Sequence, residues 1–302
     1  MDAFYDLLAR PVSTTKITNS IPDRSKVELS VLRLDKIDRM ISGNKYFKLK
    51  YNLAEARDKN YESILTFGGA FSNHIVATAA AGKIAGLHTI GIIRGEKMTP
   101  LNPSLSFAES CGMQLHFISR SDYRKKNESG YLHFLKNRFG DCFIIPEGGA
   151  NKNGIRGCAE ILNYCNKDFD VVCCSCGTGT MLAGIILSLN PGQKAIGFSA
   201  LKNGTFLNTE IEKFLTDFNF LGNKNYEIKT EYHFGGYGKI NDSLVSFFKK
   251  FLTENSIELD MIYTSKMLFG VFDLIEKNYF KPYTKILAIH SGGVQGNEGF
   301  KI

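Results

Sequence analysis

Four apolar runs lead straight into paired or closely spaced glycines: Phe67-Gly68-Gly69, Ile145-Pro146-Glu147-Gly148-Gly149, Cys176-Gly177-Thr178-Gly179 and His290-Ser291-Gly292-Gly293. Glycine lets backbone amides come close to a bound group. In open α/β sheets, turns of this kind lie beyond the carboxyl ends of strands, where ligands bind. Four of them in one chain point to a ligand held by backbone and bearing phosphate. The strongest cradle is Cys176-Gly177-Thr178-Gly179-Thr180, because helix-terminal amides and two threonine hydroxyls suit a phosphate dianion. It is not a dinucleotide fingerprint: Leu182 stands where a third glycine would fall, and no acidic residue lies near position 197. A P-loop is absent too, since no glycine is followed by Lys and then Ser or Thr.

The other chemical candidates carry less. Cys173 and Cys176 form a CxxC with no second pair at metal spacing, so they read as packed thiols, and no metal is expected. Cys158 and Cys165 are seven apart and would share one helix face in the core. Six histidines form no HExxH pattern. His74 and His290 adjoin glycine turns, where a structural hydrogen bond and a site role both stay open.

Positioning such turns needs strands that feed them. Apolar runs at Ser63–Phe67, Thr89–Ile93, Gln114–Ile118, Cys142–Ile145, Val171–Cys174, Ala195–Phe198 and Ile286–Ile289 predict strands. Between them, helical spacing marks Phe47–Arg57, Asn73–Ala85, Gly154–Tyr164, Thr180–Leu187 and Ser243–Leu252. The alternation predicts an α/β chain with mostly parallel sheet covered by helices on both faces. No internal repeat, low-complexity tract or linker interrupts it.

Composition fits an ordinary globular chain: 302 residues, 43% hydrophobic, 22% charged, 7 prolines. Seven cysteines, an odd number spread thinly, argue for reduced thiols and a cytoplasmic location. The net charge of +7 is scattered, with Tyr123-Arg124-Lys125-Lys126 and Lys249-Lys250 short and far apart, so no nucleic-acid partner is expected. Val171 to Leu189 carries no charge, but a polar Ser-Cys-Gly-Thr-Gly-Thr turn splits it, so no membrane span is expected either. With Asp2 and Asp6 and no basic n-region, the N-terminus does not read as a signal peptide.

Two segments carry a family resemblance. Gly43-Asn44-Lys45-Tyr46-Phe47-Lys48-Leu49 resembles the GNKxRKL segment of the 1-aminocyclopropane-1-carboxylate (ACC) deaminase and D-cysteine desulfhydrase family. Thr66-Phe67-Gly68-Gly69-Ala70-Phe71-Ser72-Asn73-His74 resembles that family's TxGGxQSNH. The likeness continues through the Gly177–Thr180 turn, Phe234-Gly235-Gly236-Tyr237-Gly238, Asp260-Met261-Ile262-Tyr263-Thr264-Ser265-Lys266 and His290-Ser291-Gly292-Gly293. These are pyridoxal phosphate (PLP) enzymes of the tryptophan-synthase-β kind, fold type II. The resemblance implies two open twisted sheets with the cofactor in the cleft between domains. The large domain would be formed by residues 1–51 and 151–302 and the small one by 52–150. It also implies a homodimer acting on a small amino acid.

The same resemblance implies roles. Lys48 would link covalently to PLP and then take the substrate's α-proton. Asn73 would meet the cofactor's phenolic oxygen, and Gly177, Thr178, Gly179 and Thr180 would hold its phosphate. Ser72, Asn73 and His74 would contact the substrate, Ser72 and His74 at its carboxylate or in proton transfer. Tyr237 and Tyr263 would face the reacting carbon, and Ser291 the pyridine nitrogen.

Two positions separate the branches of this family. Deaminases carry Tyr-Glu and His-Leu-Gly-Gly; desulfhydrases carry Tyr-Thr and His-Thr-Gly-Gly. Tyr263-Thr264 and His290-Ser291-Gly292-Gly293 resemble the second group. A carboxylate beside the ring nitrogen keeps it protonated and deepens the electron sink, which a serine hydroxyl does not do. The expected reaction is therefore β-elimination, D-cysteine giving pyruvate, ammonia and hydrogen sulfide, with ACC deamination or a related lyase reaction as the alternative. Phe47 in place of the family arginine, Phe71 in place of glutamine, and Met181 after the phosphate turn depart from the pattern. Phe71 is expected beside the substrate pocket.

Overall fold

The computed structural model describes residues 12–18 and 20–300, together with Phe4 and Asp6. Asp2 and most of the N-terminal segment read for a leader lie outside the described residues. Ten strands follow in chain order: β1 (Thr14–Ile17), β2 (Glu28–Arg33), β3 (Ser63–Gly69), β4 (His88–Arg94), β5 (Gln114–Ile118), β6 (Phe143–Ile145), β7 (Val171–Cys176), β8 (Lys194–Ser199), β9 (Tyr226–Lys229) and β10 (Lys285–His290). The helices are α1 (Ser20–Arg24), α2 (Asn44–Asp58), α3 (Asn73–Ala85), α4 (Pro103–Ser110), α5 (Arg120–Tyr123), α6 (Ser129–Phe139), α7 (Lys152–Cys158), α8 (Thr180–Leu187), α9 (Phe206–Asp217), α10 (Asp242–Asn255) and α11 (Thr264–Glu276).

The strands make two sheets, ordered β1-β2-β10-β7-β8-β9 and β5-β4-β3-β6. Every pairing is parallel except β1 with β2. Parallel strands buried on both faces read as continuous apolar runs, and β7, Val-Val-Cys-Cys-Ser-Cys, is buried throughout. In the six-stranded sheet, Val172, Leu182, Ile185 and Leu287 pack on one side, and Val171, Ile196, Leu268 and Val271 on the other. In the four-stranded sheet, β4 sends Ile90 and Ile92 toward Tyr123 and Leu135, and Ile93 toward Ile75 and Leu105. Helices therefore cover both faces of both sheets, as expected.

One expected helix is broken. Gly154–Tyr164 divides into α7 and a 3-10 turn over Ile161–Tyr164, so Cys158 and Cys165 do not share a helix face. The Cys165 thiol turns back to the Leu162 carbonyl at 3.5 Å. The cysteines of the CxxC, Cys173 and Cys176, are buried in β7.

Candidate active site

A cleft of about 270 Å³ opens where the glycine turns of both sheets converge. It is lined by Lys48, Ser72, Asn73, His74, Gly177, Thr178, Gly179, Tyr237, Tyr263 and Ser291. Of the expected site residues only Thr180 stands behind the wall. It is fully buried, and its Oγ1 lies 2.8 Å from that of Thr178, which it supports.

The mouth of α2 is seated by backbone contact. The Asn44 N–H donates to the Ser291 carbonyl at 3.2 Å. Gly43, at φ 59°, comes so close that a Cβ there would stand 1.9 Å from that same oxygen. This places two amines in the cleft, since Lys45 and Lys48 are three residues apart and share a helix face. Among the described residues neither amine has an ion-pair partner, and Glu147 is the one acidic side chain on the wall. Two inward amines with no ion-pair partner among the described residues suit an anionic ligand, which fits the phosphate of PLP.

The amines differ in surroundings. Lys48 is 5% exposed, and burial holds it below its ordinary range. Its electrostatic neighbours are Cys158, Cys176 and Cys174, and the Cβ position of Gly149 lies 3.1 Å from its own Cβ. The Cβ position of Gly148 in turn lies 3.0 Å from Thr178. Lys48 therefore lies on the side of the Gly177–Thr180 turn. Lys45 is half-buried, donates to Asn44 Oδ1 at 2.8 Å, and feels the Asp260 carboxylate beneath Tyr263. Burial, then the charge of Lys48, pushes its amine down to about 7.

That depression has a stability consequence. From about pH 7 upward an unfolded chain keeps a proton at Lys45 that the fold has released, so the apoprotein is expected to gain stability as pH rises. The buried thiols oppose the gain from their ordinary value of about 9 upward, since burial pushes Cys158 up to about 11 and the fold keeps a proton there that the unfolded chain loses. Denaturant unfolding across this range should show a shallower rise for Lys45→Met. An equal slope in both proteins refutes the assignment.

The β3–α3 turn supplies donors. The Ser72 hydroxyl caps α3, accepting from Ile75 N–H at 3.3 Å, and no acidic residue occupies the first turn. Gln295 donates to Asn73 Oδ1 at 3.2 Å, and the Asn73 amide group donates to no partner among the described residues. His74 lines the cleft and is anchored by Thr66. Its Nε2 lies 2.9 Å from Thr66 Oγ1, whose own proton goes to the Ile145 carbonyl at 2.8 Å. The histidine N–H is thus spent on Thr66, and burial keeps the ring neutral, well below its ordinary range. Its Nδ1 is buried and makes no full hydrogen bond among the described residues, with the Pro146 carbonyl as a polar neighbour of the ring.

Opposite, the rings of Tyr237 and Tyr263 meet edge-on at 6.1 Å. Burial raises both phenols, Tyr263 well above its usual value, so both keep their protons at neutral pH. Beyond the end of β10, Ser291 Oγ lies 3.4 Å from Ser175 Oγ. Thr264, one of the two positions that separate the branches, is turned to Asp260: its N–H and hydroxyl bind Asp260 Oδ2 at 2.8 and 2.5 Å. His290 is structural, with Nε2 2.7 Å from the Glu258 carbonyl and Nδ1 accepting from Gly292 N–H.

Phe47 is fully buried against Tyr46 and Tyr164 and does not reach the cleft. Phe71 is 41% exposed, close against Gly299, and is not on the cleft wall. The wall also holds Lys45, Arg94, Glu147, Ser175 and Gln295, which were not singled out from the sequence. Glu147 is tied up by the Tyr123 hydroxyl at 2.8 Å and by Lys126. Among the described residues no group of three His, Cys, Asp or Glu side chains could hold a metal, and no helix is long and apolar enough to cross a membrane.

Comparison with known proteins agrees with this geometry. The family described as pyridoxal-phosphate dependent enzyme matches residues 21–292. A Pyrococcus horikoshii relative, provisionally named a 1-aminocyclopropane-1-carboxylate deaminase, is 30% identical, with 85% of this chain and 81% of the relative covered. The mitochondrial bifunctional D-cysteine desulfhydrase/1-aminocyclopropane-1-carboxylate deaminase of Arabidopsis thaliana is 29% identical, with 89% and 73% covered. The crystal structure of an ACC deaminase homologue matches with a TM-score of 0.82 at 27% identity, over 97% of this chain and 95% of that one. On these matches the chain belongs to the pyridoxal-phosphate dependent enzyme family, in the branch of the ACC deaminases and D-cysteine desulfhydrases.

Proposed function

We propose that the protein catalyses β-elimination from a small amino acid, D-cysteine foremost, releasing pyruvate, ammonia and hydrogen sulfide. Bound PLP supplies an electron sink for the charge left at Cα when its proton is removed. The amides of Gly177, Thr178 and Gly179 and the ammonium of Lys48 would hold its phosphate, Asn73 its phenolic oxygen and Ser291 its ring nitrogen. The covalent role passes in our reading from Lys48 to Lys45, whose amine is reachable from the cleft and half deprotonated near pH 7. Lys48 stays as the cation at the phosphate end.

Lys45 would also be placed to take the α-proton, and a lysine tuned near the working pH suits that task. Ser72 and the first amides of α3 bind the substrate carboxylate, since a helix N-terminus favours an anion. Tyr237 and Tyr263 keep protons beside the leaving sulfur. The observation that carries the choice of reaction is the pair of neutral hydroxyls, Ser175 and Ser291, at the ring-nitrogen end. Without a carboxylate there, a substrate with a good leaving group on Cβ is favoured. A second reading, ACC deamination, has the name of the Pyrococcus horikoshii relative in its favour, while that of the Arabidopsis thaliana relative carries both activities.

The test is release of sulfide and pyruvate from D-cysteine by PLP-saturated protein, with ACC run alongside. Sulfide with pyruvate, and far less keto acid from ACC, is the expected result. Keto acid from ACC without sulfide from D-cysteine overturns the proposal and the ring-nitrogen argument with it.

A further inference from the structure

We propose that Lys266 is a positioning residue that sets Tyr237 against Tyr263. The inference rests on the proposed role of Tyr237 at the substrate. Lys266 is 1% exposed on α11, one turn beyond Tyr263, the residue that opens that helix. Its ammonium donates to the carbonyls of His233 at 3.0 Å and Gly236 at 2.8 Å. Both belong to the loop whose next residue is Tyr237.

Burying an ammonium is costly unless it is well hydrogen-bonded, and here both bonds go to one loop. That loop does not hold itself by local preference. Phe234, Gly235, Gly236 and Gly238 all take positive φ, from 53° to 121°. Its internal bonds are three: Gly236 N–H to the His233 carbonyl, Lys239 N–H to the Gly236 carbonyl and Gly235 N–H to His233 Nδ1. Outside the Lys266 bonds, it meets the body through two ring contacts, Phe234 against Phe269 at 4.9 Å and Tyr237 against Tyr263 at 6.1 Å. Asp260 provides the balancing charge, and the same carboxylate accepts the N–H of Tyr263 at 2.8 Å. One helix start thus fixes both phenols, Tyr263 through Asp260 and Tyr237 through Lys266. No substrate contact by Lys266 is involved.

The test is a double-mutant cycle on the PLP-loaded enzyme, with hydrogen exchange of residues 233–238 measured in parallel. Lys266→Met is expected to lower kcat by about 10- to 100-fold, the scale of a misplaced group, with KM changed less than about threefold. In a Tyr237→Phe background the same substitution should cost less than about threefold, because the hydroxyl it positions is gone. Lys266→Gln, which keeps one donor, should recover part of the loss, and it replaces the methionine variant should that one not fold. Exchange in 233–238 should speed up in Lys266→Met. Equal losses in both backgrounds, an unchanged kcat, or unchanged exchange in the loop overturns the proposal. If wild type releases no sulfide, the elimination reading falls by itself, while the exchange measurement still decides whether Lys266 holds the loop.

Discussion

Lys45→Ala is expected to abolish covalent capture of pyridoxal phosphate, whereas Lys48→Ala keeps it and weakens the hold on the phosphate. Removing a proton-transferring group typically costs about 10²- to 10⁴-fold, and loss of the covalent link adds to that, so turnover by Lys45→Ala should fall below detection in an ordinary assay. For Lys48→Ala the loss is one charge-assisted contact, about 1.5–3 kcal/mol, or about 10- to 100-fold in cofactor affinity. Borohydride reduction followed by peptide mass analysis reads the answer without any substrate. The pyridoxyl group should sit on Lys45. Finding it on Lys48 returns the covalent role to that residue, and with it the assignment first implied by the family likeness.

Gly43→Ala is expected to cause the largest loss of stability of any substitution discussed. At φ 59° and ψ −130° the backbone is in a region almost confined to glycine, which costs other residues about 1–3 kcal/mol. The added methyl would also meet the Ser291 carbonyl at 1.9 Å, and backbone on both sides leaves nothing flexible to yield. Gly86→Ala separates the two costs. Gly86 has φ 69° but nothing within 4 Å of its Cβ position, so only strain remains, about 1–2 kcal/mol. Urea unfolding of both apoproteins should put Gly43→Ala well below Gly86→Ala, with cofactor binding lost in the former. Equal stabilities would mean that the loop between β2 and α2 relaxes freely and does not seat Lys45.

Much of this was legible before any coordinates. Asn73–Ala85, Thr180–Leu187 and Gln114–Ile118 have the limits their periodicity predicts, because caps and apolar runs there agree. β1, β2 and β9 were not visible. Thr-Thr-Lys-Ile and Tyr-Glu-Ile-Lys are short and polar, as strands at a sheet edge are, and β2 mixes charge at both ends with apolar positions between. The glycine turns named the cleft, since a backbone cradle leaves a mark in sequence. Which of two lysines faces the phosphate does not, because residues three apart share a helix face and only the walls around them differ. Thr264 shows the same limit: its direction is set by Asp260, four residues earlier, through an ordinary helix-start bond. Gln295, which orients Asn73 from 222 residues away, gives no local signal at all.

The place of β10 bears on how the enzyme comes into being. It is made after all nine other strands, yet it lies between β2 and β7 in the middle of the six-stranded sheet. A ribosome-held chain therefore carries both lysines and the phosphate turn long before they can form a pocket, and Ser291, which seats α2, emerges later still. Cofactor loading must follow synthesis. Until β10 arrives, β2 and β7 each present an open edge to other nascent chains, so a product truncated before Lys285 is expected to aggregate during expression, with or without added pyridoxal phosphate.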